Sequence, residues 1–277
     1  PHGAIKIDQA MINFLTRHED TAKHASLLGS MVAFELSKKY GCLACVYDAI
    51  GTDEKMPIAR VSGVVEIPHF TVGHTLNTRA MAIKCAEEKL GKKFEECTFI
   101  VAHLGGGSSI RLYKDGVNID SVNDDEGNFT PERGGGVPAK ELINLCYSGK
   151  YTAKEAMKLI HGAGGLKAHL GTTDAITVEK MIEDGDEYAK IVYEAMAFNI
   201  GKDIAKLSAV VAGKVDRIIL TGGIAYSKFI TSYVQKMVEF IAPVEIMAGE
   251  YEMEALAAGA LRVAEGKEEL QDFHAIY

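Results

Sequence analysis

Three kinds of residue in this chain stand where chemistry could be done. One is a run of glycines backed by serines, the second is histidine placed off any apolar stripe, and the third is an acid or an arginine set against glycine. The glycine run lies in Phe99–Arg111, FIVAHLGGGSSIR. Without Cβ atoms, glycines let backbone N–H groups come close to an anion, and a concave row of amides is a phosphate cradle. The same run also reads as a ligand-free turn between strands. No Gly-Lys-Ser/Thr follows, so it is not a P-loop. A hairpin pattern and not a helix comes next, which fits a dinucleotide fingerprint poorly.

Four more residues stand out. Asp48 closes an apolar segment, where open α/β sheets place ligands; the alternative is a turn-forming aspartate. His74 lies in a loop ahead of a helix, and loops on rigid scaffolds often carry function. Arg133 sits between Pro131 and the glycines 134–136, either solvated or approached closely by backbone. His24 falls near a helix start, a place for a packing or surface residue or for a ligand.

These residues need elements to hold them. Phe99–Leu104 and Val117–Val122 read as strands around a third run, Ile110–Tyr113, with a tight turn at Asp115-Gly116. A strand at Val215–Thr221 is followed by Gly222-Gly223 and a helix over Tyr226–Phe240, which sets backbone amides at a helix N-terminus, a natural anion site. The glycines there serve equally in a plain turn. Helices are expected over Thr21–Tyr40, over Thr78–Leu90 with Asn77 as N-cap, from Pro138 to Ser148, and over Asp186–Ala212. Thr152 and Glu155 form a capping box. Short strands are expected over Ala4–Ile7, Cys42–Ile50, Val61–Ile67 and Pro243–Met247, and Gly162–Asp174 reads as a loop. Cys42 and Cys45 read as core thiols, since a zinc site would want a second such pair. Glu250, Glu252 and Glu254 lead into an alanine-rich helix, and the tail after it is charged and frayed.

The 277 residues are enough for about two domains, and apolar and charged fractions of 47% and 25% are those of a soluble globular protein. A net charge of −8 argues against a nucleic-acid footprint. No run approaches a membrane span. Five scattered cysteines point to a reducing cytoplasm.

Nine stretches together resemble the acetate and butyrate kinase family of the actin-like ATPase superfamily, with the butyrate kinase branch nearest. They are HASLLGSMVAFEL from His24, VYDAIGTDEKMPIARVSG from Val46, GHTLNTRAMA from Gly73, VAHLGGGSSI from Val101, GNFTPERGGGVP from Gly127, CYSGKYT from Cys146, HLGTTDA from His169, LTGGIAYSKFI from Leu220 and GEYEMEALAAGALR from Gly249. They run in the family's order across nearly the whole chain. The resemblance implies an α/β fold of two ribonuclease-H-like (actin-like ATPase) domains, the first incomplete, with ATP between them. Residues 1–50 and 253–277 are expected to belong to the N-terminal domain and 51–252 to the nucleotide-binding domain. The implied reaction is transfer of the γ-phosphoryl group of ATP to butyrate or a similar short-chain or branched acid, giving an acyl phosphate and ADP with Mg2+, in a cytoplasmic homo-oligomer. Acetate or propionate kinase and a non-catalytic ATP-binding module are the alternatives.

By the same resemblance, Asp48, His74, His103 and Arg133 are expected at catalytic positions. Gly105, Gly106, Gly107, Ser108 and Ser109 match the second phosphate loop. Asp174 matches a nucleotide-contacting aspartate, and Gly222, Gly223, Ile224, Ala225 and Tyr226 match the adenosine motif. His24 matches a histidine of the family's acyl cleft. Glu252 is expected near magnesium, with Glu250 the near alternative. Gly73 stands where acetate kinases carry phenylalanine, which is expected to leave room for a longer acyl chain. The family's first phosphate loop, of the type N-P-G-S-T-S, is not found in this sequence, so the chain reads as a fragment or partial record that alone is expected to be inactive.

Overall fold

The structure, a computed structural model, describes residues 2–17 and 25–273. Two sheets organise it. The small one has strand order β2-β1-β8, where β1 is Ala4–Lys6, β2 is Cys45–Tyr47 and β8 is Leu270–Gln271. The large one runs β5-β4-β3-β6-β7, with β3 at Thr98–Leu104, β4 at Ser108–Lys114, β5 at Val117–Val122, β6 at Arg217–Gly222 and β7 at Val244–Ala248.

Strand register decides which side chains meet. In the antiparallel β3–β4 pair, His103 lies opposite Ser109 and Val101 opposite Arg111. In the parallel β3–β6 pair, His103 lies beside Thr221 and Val101 beside Ile219. Directly paired residues share a face. His103, Ser109 and Thr221 therefore form one row, and Val101, Arg111 and Ile219 the next.

The helices in chain order are α1 (Gln9–Arg17), α2 (Ala25–Tyr40), α3 (Thr75–Cys85), α4 (Ala139–Cys146), α5 (Ala153–Ile160), α6 (Gly165–Leu170), α7 (Ala175–Glu183), α8 (Glu187–Val210), α9 (Lys228–Val238) and α10 (Glu252–Ala264). Helix α8 packs Tyr193, Met196, Ile200 and Ile204 against Ile100, Ala102, Leu104, Ile110, Leu112, Ile218 and Leu220. The opposite face of the sheet meets α3, whose Met81, Ala82 and Cys85 pack on Phe99, Val101, Tyr113 and Ile219. Both faces are covered, which is why β3 and β6 read as continuous apolar runs and not as alternating ones. A smaller core of Ile5, Ile7, Met11 and Phe273 belongs to the small sheet.

Several expectations change. Helix α3 starts at Thr75, so His74 is its N-cap residue and Asn77 lies inside it; beyond Cys85 it passes into a π-helical turn, Ala86–Leu90, ended by Gly91 at φ 61°. Only Cys45–Tyr47 pairs as a strand within 42–50, and Cys42 is exposed, so it is no core thiol. Val61–Ile67 forms no strand: no strand among the described residues pairs with it, and Val65 is 93% exposed. Helix α6 occupies part of the expected loop 162–174. The tail is not frayed at Leu270–Gln271, which pairs parallel with β1.

Candidate active site

The site grows from the end of β3. His103 is the penultimate residue of that strand and is 1% exposed. Its ring stacks on that of His74, with centroids 4.0 Å apart and planes at 16°. His103 Nδ1 lies 2.9 Å from Asn77 Oδ1, and His74 Nδ1 lies 3.1 Å from Ser109 Oγ. Burial above all, then the Arg111 and Arg133 charges, lowers His74 to about 4. Burial, then His74 and Arg111, lowers His103 to about 3. Both imidazoles are therefore neutral at physiological pH, hydrogen-bonding groups and not cations.

Beyond β3 the chain turns at Gly105–Gly107. A Cβ built on Gly105 would lie 3.5 Å from His103 Nε2 and 4.0 Å from Glu250 Oε1, so the turn faces that imidazole and that carboxylate. A Cβ on Gly107 would lie 2.8 Å from Arg133 Cζ: the guanidinium lies flat on this glycine. Arg133 Nη1 pairs with the Asp124 carboxylate, while its buried Nε has no protein partner. Thr130 Oγ1 donates to Gly106 O (2.5 Å), and Ser108 Oγ donates to Asn128 Oδ1 (3.2 Å). These bonds fasten the turn to the 127–136 loop that carries Arg133.

A second glycine pair meets the first. Gly222, at φ 87°, lies so close to Leu104 that a Cβ would fall 2.4 Å from the Leu104 carbonyl oxygen. Gly222 and Gly249 exchange backbone hydrogen bonds of 3.1 Å. Gly223–Tyr226 forms a single 3-10 turn with Ile224 and Ala225 buried and Tyr226 exposed. The turns 105–107 and 222–226 and the residues Gly249 and Glu250 thus converge at the ends of β3, β6 and β7.

The other expected residues fall elsewhere. Asp48 is buried with φ 44°, accepts from Gly3 N (2.7 Å) and pairs with Arg79 Nη1 (3.3 Å). It is tied to Arg79 and not to the imidazoles, and it lines a cavity of about 280 Å³ with Tyr47, Met81, Tyr251 and Arg262. Asp174 is the N-cap of α7, its carboxylate accepting from Ile176 N, Thr177 N and Thr177 Oγ1. Glu252 opens α10, and burial raises its pKa. His24 lies outside the described residues. At Gly73 the structure gives a different reason for glycine. Its φ is 129°, and a Cβ would lie 2.2 Å from Ser109 Oγ, so that direction is filled by β4 and opens no acyl pocket. Ser109 likewise turns to His74, away from a phosphate-loop role for its side chain.

Sequence reasoning missed Arg111. It is fully buried, and its Nε and Nη2 have no protein partner. Nη1 meets the Asn118 amide oxygen at 2.9 Å once that amide is oriented to serve both its neighbours. No carboxylate pairs with this guanidinium among the described residues, yet it raises the positive potential at both imidazoles. The signal available was parity: an arginine inside a strand, two residues from Ser109, must share its face. Among the described residues no group of three or more His, Cys, Asp or Glu side chains gathers as a metal site, and no helix is long and apolar enough to cross a membrane.

Residues 77–248 match the model of the acetokinase family. Butyrate kinase 2 of Clostridium acetobutylicum is 44% identical over 273 residues, covering 98% of this chain and 76% of that protein. Butyrate kinase 1 of the same organism is 41% identical with the same coverage. Among solved structures, the acetate kinase of Porphyromonas gingivalis superposes with a TM-score of 0.80 at 18% identity, over 94% of this chain and 74% of that one. The acetate kinase of Entamoeba histolytica gives 0.79 at 14% identity, over 93% and 75%. The architecture is the α/β fold of these kinases.

Proposed function

The chain belongs to the acetokinase family, and on that premise we propose that it serves a carboxylate kinase that moves the γ-phosphoryl group between ATP and butyrate or a similar short-chain or branched acid. The observation that carries this reading is the Arg133 guanidinium lying on Gly107 of the glycine turn, its charge felt at the neutral His74 imidazole that stacks on His103. The two sheets support a division into a smaller domain built on β1, β2 and β8 and a nucleotide-binding domain built on β3–β7. The five free cysteines fit a reducing cytoplasm.

The chemistry suits these residues. A carboxylate nucleophile is already ionised at neutral pH, with a pKa near ~4, so no strong general base is required. The demand is to bring two anions together and to steady charge on the moving phosphoryl group. Backbone amides of Gly106 and Gly107, in a turn closed by the Gly105 N–H donating to Gly107 O, and of the Gly223–Tyr226 turn would cradle phosphates, with Gly222 allowing the close approach of the two turns. Arg133 supplies the positive charge next to that cradle. His74 and His103, being neutral, act as hydrogen-bonding groups that face the cleft without adding charge. Asp48, held by Arg79 and Gly3, shapes the cleft and removes no proton. Magnesium is bound in such sites by one or two carboxylates together with the nucleotide's phosphates. Glu250, whose carboxylate faces Gly105, fits that role, with Glu252 at the start of α10 the second carboxylate, and the cation would supply neutralisation of phosphate charge.

The test is an acyl-phosphate assay of the full-length protein with hydroxylamine trapping, offering acetate, propionate, butyrate and isobutyrate with ATP. Trapped hydroxamate, greatest with a four-carbon acid, is the expected result. ATP turnover without hydroxamate would overturn the reading.

A further inference from the structure

His103 presents Nε2 to the glycine turn, and what that nitrogen can do depends on its tautomer. If Nδ1 holds the proton, Nε2 offers a lone pair, which repels a phosphate oxygen. If Nε2 holds it, the ring donates to the turn. The other partner of Nδ1 sets the choice. That partner is the Asn77 amide, whose oxygen and nitrogen are assigned from the groups around them.

With Oδ1 toward His103, that one oxygen meets both His103 Nδ1 (2.9 Å) and Thr221 Oγ1 (3.3 Å), and the buried Nδ2 has no partner. Two N–H donors are then stranded in a closed site. Thr221 Oγ1 also lies 3.3 Å from Gly249 O, but a hydroxyl has one proton to give. The opposite orientation resolves this. Asn77 Nδ2 then donates to His103 Nδ1 and to Thr221 Oγ1, and Thr221 donates to Gly249 O. Both Asn77 N–H groups and the Thr221 hydroxyl are then used, the Asn77 carbonyl oxygen is left without a partner, and the His103 Nε2–H is left to donate into the turn. Stranded buried N–H groups are rarer in proteins than under-used carbonyls.

We propose that Asn77 is a positioning residue: its amide nitrogen, seated between His103 Nδ1 and Thr221 Oγ1, fixes His103 as the Nε2–H tautomer, so that a neutral ring donates a hydrogen bond into the glycine turn. The neighbouring ring has the same arrangement, since the Ser109 hydroxyl can donate to His74 Nδ1. The stacked pair then carries both protons on its Nε2 atoms. Asn77 is 1% exposed and lies in the first turn of α3, held between β3 and β6. It touches no substrate and acts through His103. The donor's use in phosphoryl transfer rests on the function proposed above; the tautomer does not.

The experiment is a long-range 1H–15N correlation spectrum of the histidine-labelled chain, with His103 assigned by its loss in His103→Gln. The expected result is an Nε2-protonated, neutral His103 at neutral pH in the unmodified chain. A proton on Nδ1 would overturn the proposal without any variant needing to fold. In Asn77→Asp, whose side chain only accepts when ionised, the His103 proton is expected to move to Nδ1. An unchanged tautomer there would also overturn it. In the complete enzyme, Asn77→Asp is expected to lower kcat about 100-fold, the effect of losing one oriented donor, with KM for ATP little changed. If the tautomer is as expected and no carboxylate is phosphorylated by the unmodified enzyme, the positioning role stands and the assigned reaction falls.

Discussion

The two faces of the large sheet are made from the same strands and differ in almost everything else. Toward α8 the side chains of β3 and β6 are aliphatic and dry: Ile100, Ala102, Leu104, Ile218 and Leu220. Toward α3 the first residues are also apolar, Phe99, Val101 and Ile219, but the row nearest the glycine turn is His103, Ser109 and Thr221, with Arg111 behind it. One face is there to be packed, the other changes from packing to chemistry within two residues. Burial is nearly as complete on both, so burial does not separate them. What separates them is whether the buried atoms have partners. On the α8 face the buried polar groups find partners, Ser108 in Asn128 and Tyr193 in Ser227 and Glu179, while on the α3 face Arg111 Nε and Nη2 have none among the described residues.

Four measurements would break or sharpen this contrast. The largest effect is expected at Arg133, which serves the chemical edge of the α3 face. Arg133→Ala in the complete enzyme should lower kcat and kcat/KM together by on the order of 10³-fold, as for an arginine aimed at a transferring phosphoryl group. A raised KM for ATP at unchanged kcat would move Arg133 to nucleotide binding. Next comes the dry face. Leu220→Ala should cost about 3 kcal/mol in denaturant unfolding, within the usual range for a buried leucine, and leave turnover per folded molecule little changed.

The third measurement is acidification. His74 binds its proton near pH 4 when folded and near 6.5 when unfolded. Between those values the unfolded chain holds more protons, so stability rises with pH there. The contribution is complete above about pH 6.5 and is lost as pH falls toward 4. His74→Gln should flatten that part of a stability–pH curve, by on the order of 3 kcal/mol at its lower end. The smallest effect on stability is expected from Arg111→Met. Replacing a buried cation that lacks an acidic partner among the described residues by an apolar side chain should leave stability unchanged or raise it by about 1 kcal/mol. The same variant should raise the pKa of His74, followed by NMR titration. A large loss of stability would show that the guanidinium has a partner not identified above.

Much of the scaffold was legible because its causes are local. The glycine hairpin, the Thr152–Glu155 capping box and the long helix closed by Gly213 depend on neighbours in sequence. The misreadings share the opposite cause. Asn77 has the chemistry of an N-cap, but His103 and Thr221 arrive from strands far along the chain and draw its amide inside the helix. Ser109 looks like part of a phosphate loop until its pairing with His103 fixes the face it occupies. Gly73 looked like space and is a contact. Val61–Ile67 has strand composition and no partner strand among the described residues, whereas the two residues of β8 lack a pattern and pair because β1 offers an open edge. The site's glycines could be read from sequence; the side chains behind them required the register.

Helix α3 has one further consequence. Its Asn77 reaches His103 on the large sheet, and its Arg79 reaches Asp48 beside the small one. Residues two apart on an α-helix point about 200° apart and are separated by about 3 Å along the axis. The helix therefore acts as a two-ended spanner whose jaws are set by the helical repeat. A single residue inserted between Asn77 and Arg79 would turn one jaw by about 100° relative to the other, so the segment could still grip either sheet, but not both at once.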